Sequence, residues 1–313
     1  AHLLPSEVGL RGFEYEDGLS QPQRIGGRTL AAAGAWMREH RGERLFVWVH
    51  FFDPHRPYAA PGPYRRRFAE AADPKPVYLG NGADRDPYPA EQVRALTALY
   101  DGEIAYADDL VGRLVALVHE IVPPGSAPLV IVAGDHGETL GERDVTHRYA
   151  FDHGQLLYQG VLEVPLIFRW DGVLPPGRVL DGPASLVDLA PTLFEMLGDA
   201  GFPTHGRSLL PDIEGRAAPG SRLAFTERRL LGLGKQMRWR SLAQFSVQNR
   251  RYKLILSTPF SRTQLDDLEQ DPGETKDLSR SLPEVETTLR ETLERWRTAR
   301  PATGAWTATV PRE

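Results

Sequence analysis

Apolar positions in this chain fall into short β-branched runs set between longer stretches of helical spacing. Val130-Ile131-Val132-Ala133 is one such run, and it stops on Gly134-Asp135-His136-Gly137-Glu138. Short runs of this kind read as buried parallel strands, and in open α/β sheets ligands sit beyond the carboxyl ends of such strands. A strand over 129–133 thus brings Asp135 and His136 to a site rim. Phe46 to Phe52 repeats the logic, with a strand over 46–52 delivering His50, Asp53 and His55 into a Pro-bounded loop.

Helical periodicity appears over Arg28 to His40, where Leu30, Ala33 and Met37 share a side. It recurs at greater length in Val93, Leu96, Tyr100, Ile104, Ala107, Val111, Leu114 and Val118, which predict an amphipathic helix ending before Pro123-Pro124. With a further strand expected over Val164 to Phe168, the order gives αβ alternation and a mostly parallel sheet. Residues 1–23 are polar and rich in turn formers, and Tyr58 to Pro89 is too irregular for packed secondary structure, so it reads as a functional loop. Ser185-Leu186-Val187-Asp188 reads as a capping box opening a helix that stops at Gly198. Gly, Pro and Arg then dominate to Gly220. Beyond lie short strands over 244–247, 252–256 and 264–268 and a helix over 283–300, a small α+β unit. The expected organisation is a domain over 1–200, a linker over 201–220 and a subdomain over 221–313.

Composition narrows the function classes. The chain has 313 residues, 41% hydrophobic and 25% charged, enough for a sizeable core. A formal charge of −5 speaks against nucleic-acid binding, which calls for a basic stripe to neutralise phosphates. Only Lys75, Lys235, Lys253 and Lys276 among the 37 basic residues are lysine, a bias read as genome composition. Zero cysteines exclude disulfides, thiolate zinc sites and a cysteine nucleophile within this chain. No run of about 18 apolar residues predicts a transmembrane segment.

Asp135 and His136 pair a hard carboxylate oxygen with a borderline nitrogen, a combination suited to a divalent metal. A Gly-Asp-His-Gly turn also serves as a simple helix cap, and His50 and His55 also serve as packing or loop residues. Phe151-Asp152-His153-Gly154 follows downstream, with His147 six residues before His153, so His55, His136, His147 and His153 are candidates to converge on one anion. Asp108-Asp109, Arg228-Arg229 and Arg250-Arg251 read as surface charge. Phosphate-loop, dinucleotide, zinc-protease and serine-hydrolase signatures are missing from the sequence.

The order of motifs carries more than any one of them. Trp48-Val49-His50-Phe51-Phe52-Asp53-Pro54-His55-Arg56-Pro57-Tyr58, Tyr100-Asp101-Gly102-Glu103-Ile104, Gly134-Asp135-His136-Gly137-Glu138, His153-Gly154-Gln155 with Val164-Pro165-Leu166-Ile167, and Asp188-Leu189-Ala190-Pro191-Thr192 succeed one another. Tyr252-Lys253-Leu254 and Asp267-Leu268-Glu269-Gln270-Asp271-Pro272-Gly273-Glu274 complete the series. In this order they resemble the sulfatase family of the alkaline phosphatase superfamily, over nearly the whole chain.

The resemblance implies an α/β sandwich with a mixed, mostly parallel central sheet, incomplete here, plus a small C-terminal α+β subdomain. It implies a sulfuric ester hydrolase acting on a small-molecule or glycan sulfate ester with one divalent cation, calcium first, manganese or magnesium as alternatives. By that likeness Asp135 and His136 match metal ligands, and His55 matches the histidine at the sulfate and leaving-group oxygen. His153 stands where many members carry a sulfate-binding lysine, and Arg143 stands where relatives often have His, while His147 stays a candidate substrate contact from the convergence of histidines alone. The family's opening strand and its Cys/Ser-x-Pro-x-Arg motif, the source of formylglycine, do not appear, and the chain starts at Ala1. A fragment of a longer enzyme, itself inactive and poor in metal, is therefore expected, with formylglycine in the missing N-terminal segment and a periplasmic or secreted parent. Two other readings stay open: a phosphomonoester, phosphodiester or phosphonate ester hydrolase of the same superfamily, and a non-catalytic remnant that binds sulfated or phosphorylated ligands.

Overall fold

A computed structural model describes residues 24–68, 88–142, 151, 153–154, 156–180, 182–199, 204–218, 220, 222–229, 243–258 and 261–298. Two compact units emerge from its contacts. One comprises residues 1–132, 140–151 and 167–173, the other residues 133–139, 152–166 and 174–313. The segments bearing Asp135, His136 and His153, expected within a 1–200 domain, thus group with the C-terminal half of the chain.

In the first unit, helix α1 spans Gly26–Glu39, α2 Gly62–Phe68 and α3 Ala90–Ile121. Strand β1 follows over Leu129–Ala133, as expected, and pairs with β2 over Leu166–Trp170. The apolar face of α3 is rotated from the expected one: Leu96, Leu99, Glu103, Tyr106, Leu110 and Leu117 are buried, whereas Ile104 is 45% exposed. Leu30, Ala60, Tyr106 and Leu110 form one core cluster, and Tyr58, Leu96, Leu99 and Phe151 another. The buried face also carries Glu103, 3% exposed, whose carboxylate accepts the Ala59 N–H. Burial, with the Asp53 charge adding, pushes this carboxyl up to about 7.

Two expectations change here. Residues 46–52 are not a strand, because no neighbour offers them a ladder among the described residues; Phe46 and Trp48 are 70% and 67% exposed. The stretch after Tyr58 is not wholly irregular, since α2 forms where Pro61 accepts the N–H groups of Tyr64 and Arg65. Among the described residues no helix is long and apolar enough to cross a membrane.

In the second unit a short helix α4, Gln159–Leu162, precedes a capping box in which the Asp188 carboxylate accepts the Ser185 N–H at 3.0 Å. Helix α5, Leu189–Met196, follows, and Gly198 with φ +72° provides the left-handed residue past its end. The stretch expected as a linker contains helix α6, Leu210–Ile213, and is tied down. Asp188 accepts the Arg207 N–H at 2.8 Å, the Thr192 hydroxyl accepts the Leu209 N–H at 2.8 Å, and Leu209 is buried. Arg222, itself buried, reaches Asp188 at 3.1 Å and Asp212 at 2.9 Å.

Strands β3 (Ala224–Arg229), β4 (Ala243–Gln248), β5 (Tyr252–Ser257) and β6 (Arg262–Asp267) form an antiparallel meander in chain order, closed by helix α7, Pro283–Thr298. Phe245, Val247, Leu254, Leu256 and Leu265 meet Leu289 and Leu293 of α7, while the Phe225 and Trp296 rings stack 5.0 Å apart. Alternation places Lys253 and Ile255 on the opposite face of β5. Both are buried as well, so β5 is covered on two sides.

Two consequences are measurable. In the folded protein Glu103 keeps its proton to about pH 7, against an ordinary value of 4.5, so its contribution to stability is full below the lower value and falls as pH rises towards 7. Denaturant titrations at pH 5 and pH 8 should show wild type losing on the order of 3 kcal/mol relative to Glu103→Gln, from 1.36 kcal/mol per pKa unit; equal losses would exclude this role. Arg222→Ala strands two carboxylates beside a buried void and should cost ~3–5 kcal/mol in urea unfolding, far beyond the effect of Arg250→Ala at the exposed pair with Glu269.

Candidate active site

β1 ends at Ala133, and the next five residues include the candidate ligands Asp135 and His136. Asp135 and His136 are exposed, and the Asp135 carboxylate accepts the His136 N–H at 2.9 Å, which fixes the turn. His136 Nδ1 lies 2.8 Å from the Gly137 carbonyl. A carbonyl only accepts, so Nδ1 carries the proton and Nε2 is the basic nitrogen, 3.9 Å from Asp135 Oδ2.

Gly137 allows the turn to lie against α4. Its N–H donates to the Val161 carbonyl at 2.8 Å, and a Cβ at this position would stand 2.1 Å from the Gly160 carbonyl oxygen. No other residue type leaves that approach intact. Upstream, the Gly134 N–H donates to the Pro165 carbonyl at 3.0 Å. The turn is therefore pinned on both sides of Asp135 and His136.

The His153 ring stacks on His136 with centroids 4.0 Å apart and planes at 25°. Its Nδ1 is 3.2 Å from a carboxylate oxygen of Glu138, which is buried. That contact makes Nδ1 the donor and sets the ring's orientation. The structure thus brings together Asp135, His136, His153 and, unforeseen, Glu138. Glu138 was visible as the last residue of the strand-tip motif, but its partner lies 15 residues on and no local spacing announces the pair. His147 and Arg143 lie outside the described residues.

His55 belongs to the first unit. Its N–H donates to the Phe52 carbonyl at 2.9 Å, its ring packs 4.6 Å from the Phe52 ring, and its Nδ1 meets the Arg56 carbonyl at 2.7 Å, again making Nε2 the basic nitrogen. The peptide bonds Asp53-Pro54 and Arg56-Pro57 are cis. Asp53 does more than initiate a turn: its carboxylate accepts the Gly26 N–H at 2.8 Å, capping α1, where Ile25 offers no side-chain acceptor. Burial holds the Asp53 carboxyl above its ordinary value, opposed by the N–H groups it accepts. His50 is exposed.

As a metal site the strand tip supplies two donors of the right kind, a carboxylate oxygen and an imidazole nitrogen. Among the described residues no third His, Asp or Glu completes a ligand group. The pair fits one side of a coordination shell.

The sulfatase family model matches residues 27–199, and a model described as N-sulphoglucosamine sulphohydrolase, C-terminal, matches residues 146–299. The chain is 26% identical to choline-sulfatase of Rhizobium meliloti (strain 1021) over 269 residues, covering 77% of this chain and 48% of that protein. It is 25% identical to the multifunctional alkaline phosphatase superfamily protein PehA of Trinickia caryophylli over 208 residues, covering 56% of this chain and 38% of that protein. The chain therefore spans less than half the length of these curated relatives. Among solved structures, a protein in complex with its substrate D-glucosamine-2-N,6-O-disulfate superposes with a TM-score of 0.68 at 15% identity, over 88% of this chain and 70% of that one. Fold and motif order agree, and with a family model matching more than half of its residues, this chain belongs to the sulfatase family of the alkaline phosphatase superfamily.

Proposed function

We propose that this chain carries the metal-binding and anion-contacting half of a sulfuric ester hydrolase acting on a small-molecule or glycan sulfate ester. The observation behind the reading is the strand-tip cluster in a member of the sulfatase family: Asp135 and His136 side by side, with His153 stacked on His136 and oriented by Glu138. Asp135 Oδ2 and His136 Nε2 would hold a divalent cation, calcium or a similar hard ion. When bound, such an ion offsets negative charge on the nonbridging ester oxygens.

The chain's own residues supply the rest. His153, with Nδ1–H committed to Glu138, would donate to an anion from Nε2 when that nitrogen is protonated as well. The family likeness assigns His55 to the leaving group: with Nδ1–H committed to the Arg56 carbonyl, its ring, when protonated at Nε2 as well, would give that second proton to the departing alkoxide. A phosphoric or phosphonate ester hydrolase remains the second reading, favoured by the imidazole in the metal pair, which suits a transition metal better than calcium.

The test compares an aryl sulfate, an aryl phosphate and a phosphodiester on one preparation of the complete natural protein. Sulfate should be preferred; a phosphoester preference above about tenfold, ~1.4 kcal/mol of transition-state discrimination, replaces this reading with the second. Asp135→Ala should lower bound metal, read by elemental analysis, together with rate. His55→Ala should keep the metal and slow poor leaving groups by ~10²–10⁴-fold, with little effect on activated ones.

A further inference from the structure

Lys253 and Glu274 are 0% and 2% exposed and form an ion pair in the second unit. Burying two charges is costly unless their remaining protons and lone pairs are used, and such a pair is weak evidence for stability by itself. Its hydrogen bonds show where it acts. Lys253 Nζ donates to the Leu157 carbonyl at 2.9 Å and to Gln159 Oε1 at 3.3 Å, and the Glu274 carboxylate accepts the Gln159 N–H at 2.7 Å. The Tyr158 hydroxyl between them donates to Gln264 at 3.1 Å. Arg228 of β3 adds a second tether, donating to the Gly154 carbonyl at 2.8 Å.

Those anchored residues lead directly into α4, whose Val161 carbonyl takes the Gly137 N–H. A continuous path of hydrogen bonds thus runs from β5 through residues 157–161 to the turn that aims Asp135 and His136. We infer that the buried Lys253–Glu274 pair is a positioning device for that turn, fixing the segment against which Gly137 packs. This rests on the reading of Asp135 and His136 as metal ligands. Neither charge touches substrate in this role; both act through the 157–161 backbone.

Amide hydrogen exchange in the complete protein tests it without reference to activity. In Glu274→Leu the Gly137 amide should exchange at least tenfold faster relative to the Leu254 amide, in the central strand of the meander. In Glu274→Gln, which keeps an acceptor for the Gln159 N–H, it should stay within about threefold of wild type. The charge-balanced Lys253→Met/Glu274→Leu pair guards against loss of folding and should reproduce the Leu variant. Equal acceleration at Gly137 and Leu254 would overturn the proposal by showing a merely structural role. For aryl sulfate hydrolysis, kcat should fall at least tenfold in Glu274→Leu with KM within threefold, and Glu274→Gln should restore it; an unchanged kcat also overturns the proposal. A wild-type protein inert towards sulfate esters removes the functional reading, and the exchange comparison still decides the positioning role.

Discussion

A lysine ammonium with no solvent exposure, facing a carboxylate with almost none, persists only where partners for both are already in place. In this chain those partners are backbone groups of an irregular segment. Residues 157–159 run beside a buried sheet face, where an unpaired N–H or carbonyl is costly, and the ion pair takes up one of each. The same contacts explain why residues 152–166 group with the C-terminal sheet rather than with the chain that precedes them. Asp266 lies opposite Lys253 in the β5–β6 ladder and is also buried, so this face of the sheet carries a second carboxyl group besides that of the ion pair.

The first unit solves a related problem by related means. The loop from Asp53 to Ala60 contains two prolines in cis linkage, which donate no hydrogen bonds, and its remaining N–H groups need acceptors. Glu103 supplies one from the middle of α3, and Asp53 turns outward from the loop to serve α1. In both units buried carboxylates hold histidine-bearing segments through the backbone, leaving the imidazoles themselves to be aimed by a neighbouring carbonyl or carboxylate.

What was legible in the sequence was what repeats or what ends abruptly. The β1 run, the long α3 periodicity stopped by Pro123-Pro124, the Ser185 to Asp188 cap and three strands of the meander all carry local signals, and all stand near their expected bounds. Long-range constraints were hidden. Ile104 looked like core and the burial of Glu103 was not foreseen, because nothing within a turn of α3 shows that the Ala59 N–H needs an acceptor. Lys253 sat inside a recognised motif without revealing that its ammonium is buried, and β3 was missed because Ala224-Phe225-Thr226-Glu227-Arg228-Arg229 is too polar to read as a strand. Of the site, the strand-tip pair was visible as chemistry, whereas the stacking of His153 on His136 and its anchor on Glu138 depend on a fold that brings residues 15 positions apart together.

The start of α1 shows what such long-range capping entails for assembly. An isolated helix of this length is marginal in water, and its first turn leaves N–H groups without partners. Here the acceptor for the Gly26 N–H arrives from 27 residues downstream. The first turn of α1 therefore gains this cap only when the loop bearing His55 has taken its place.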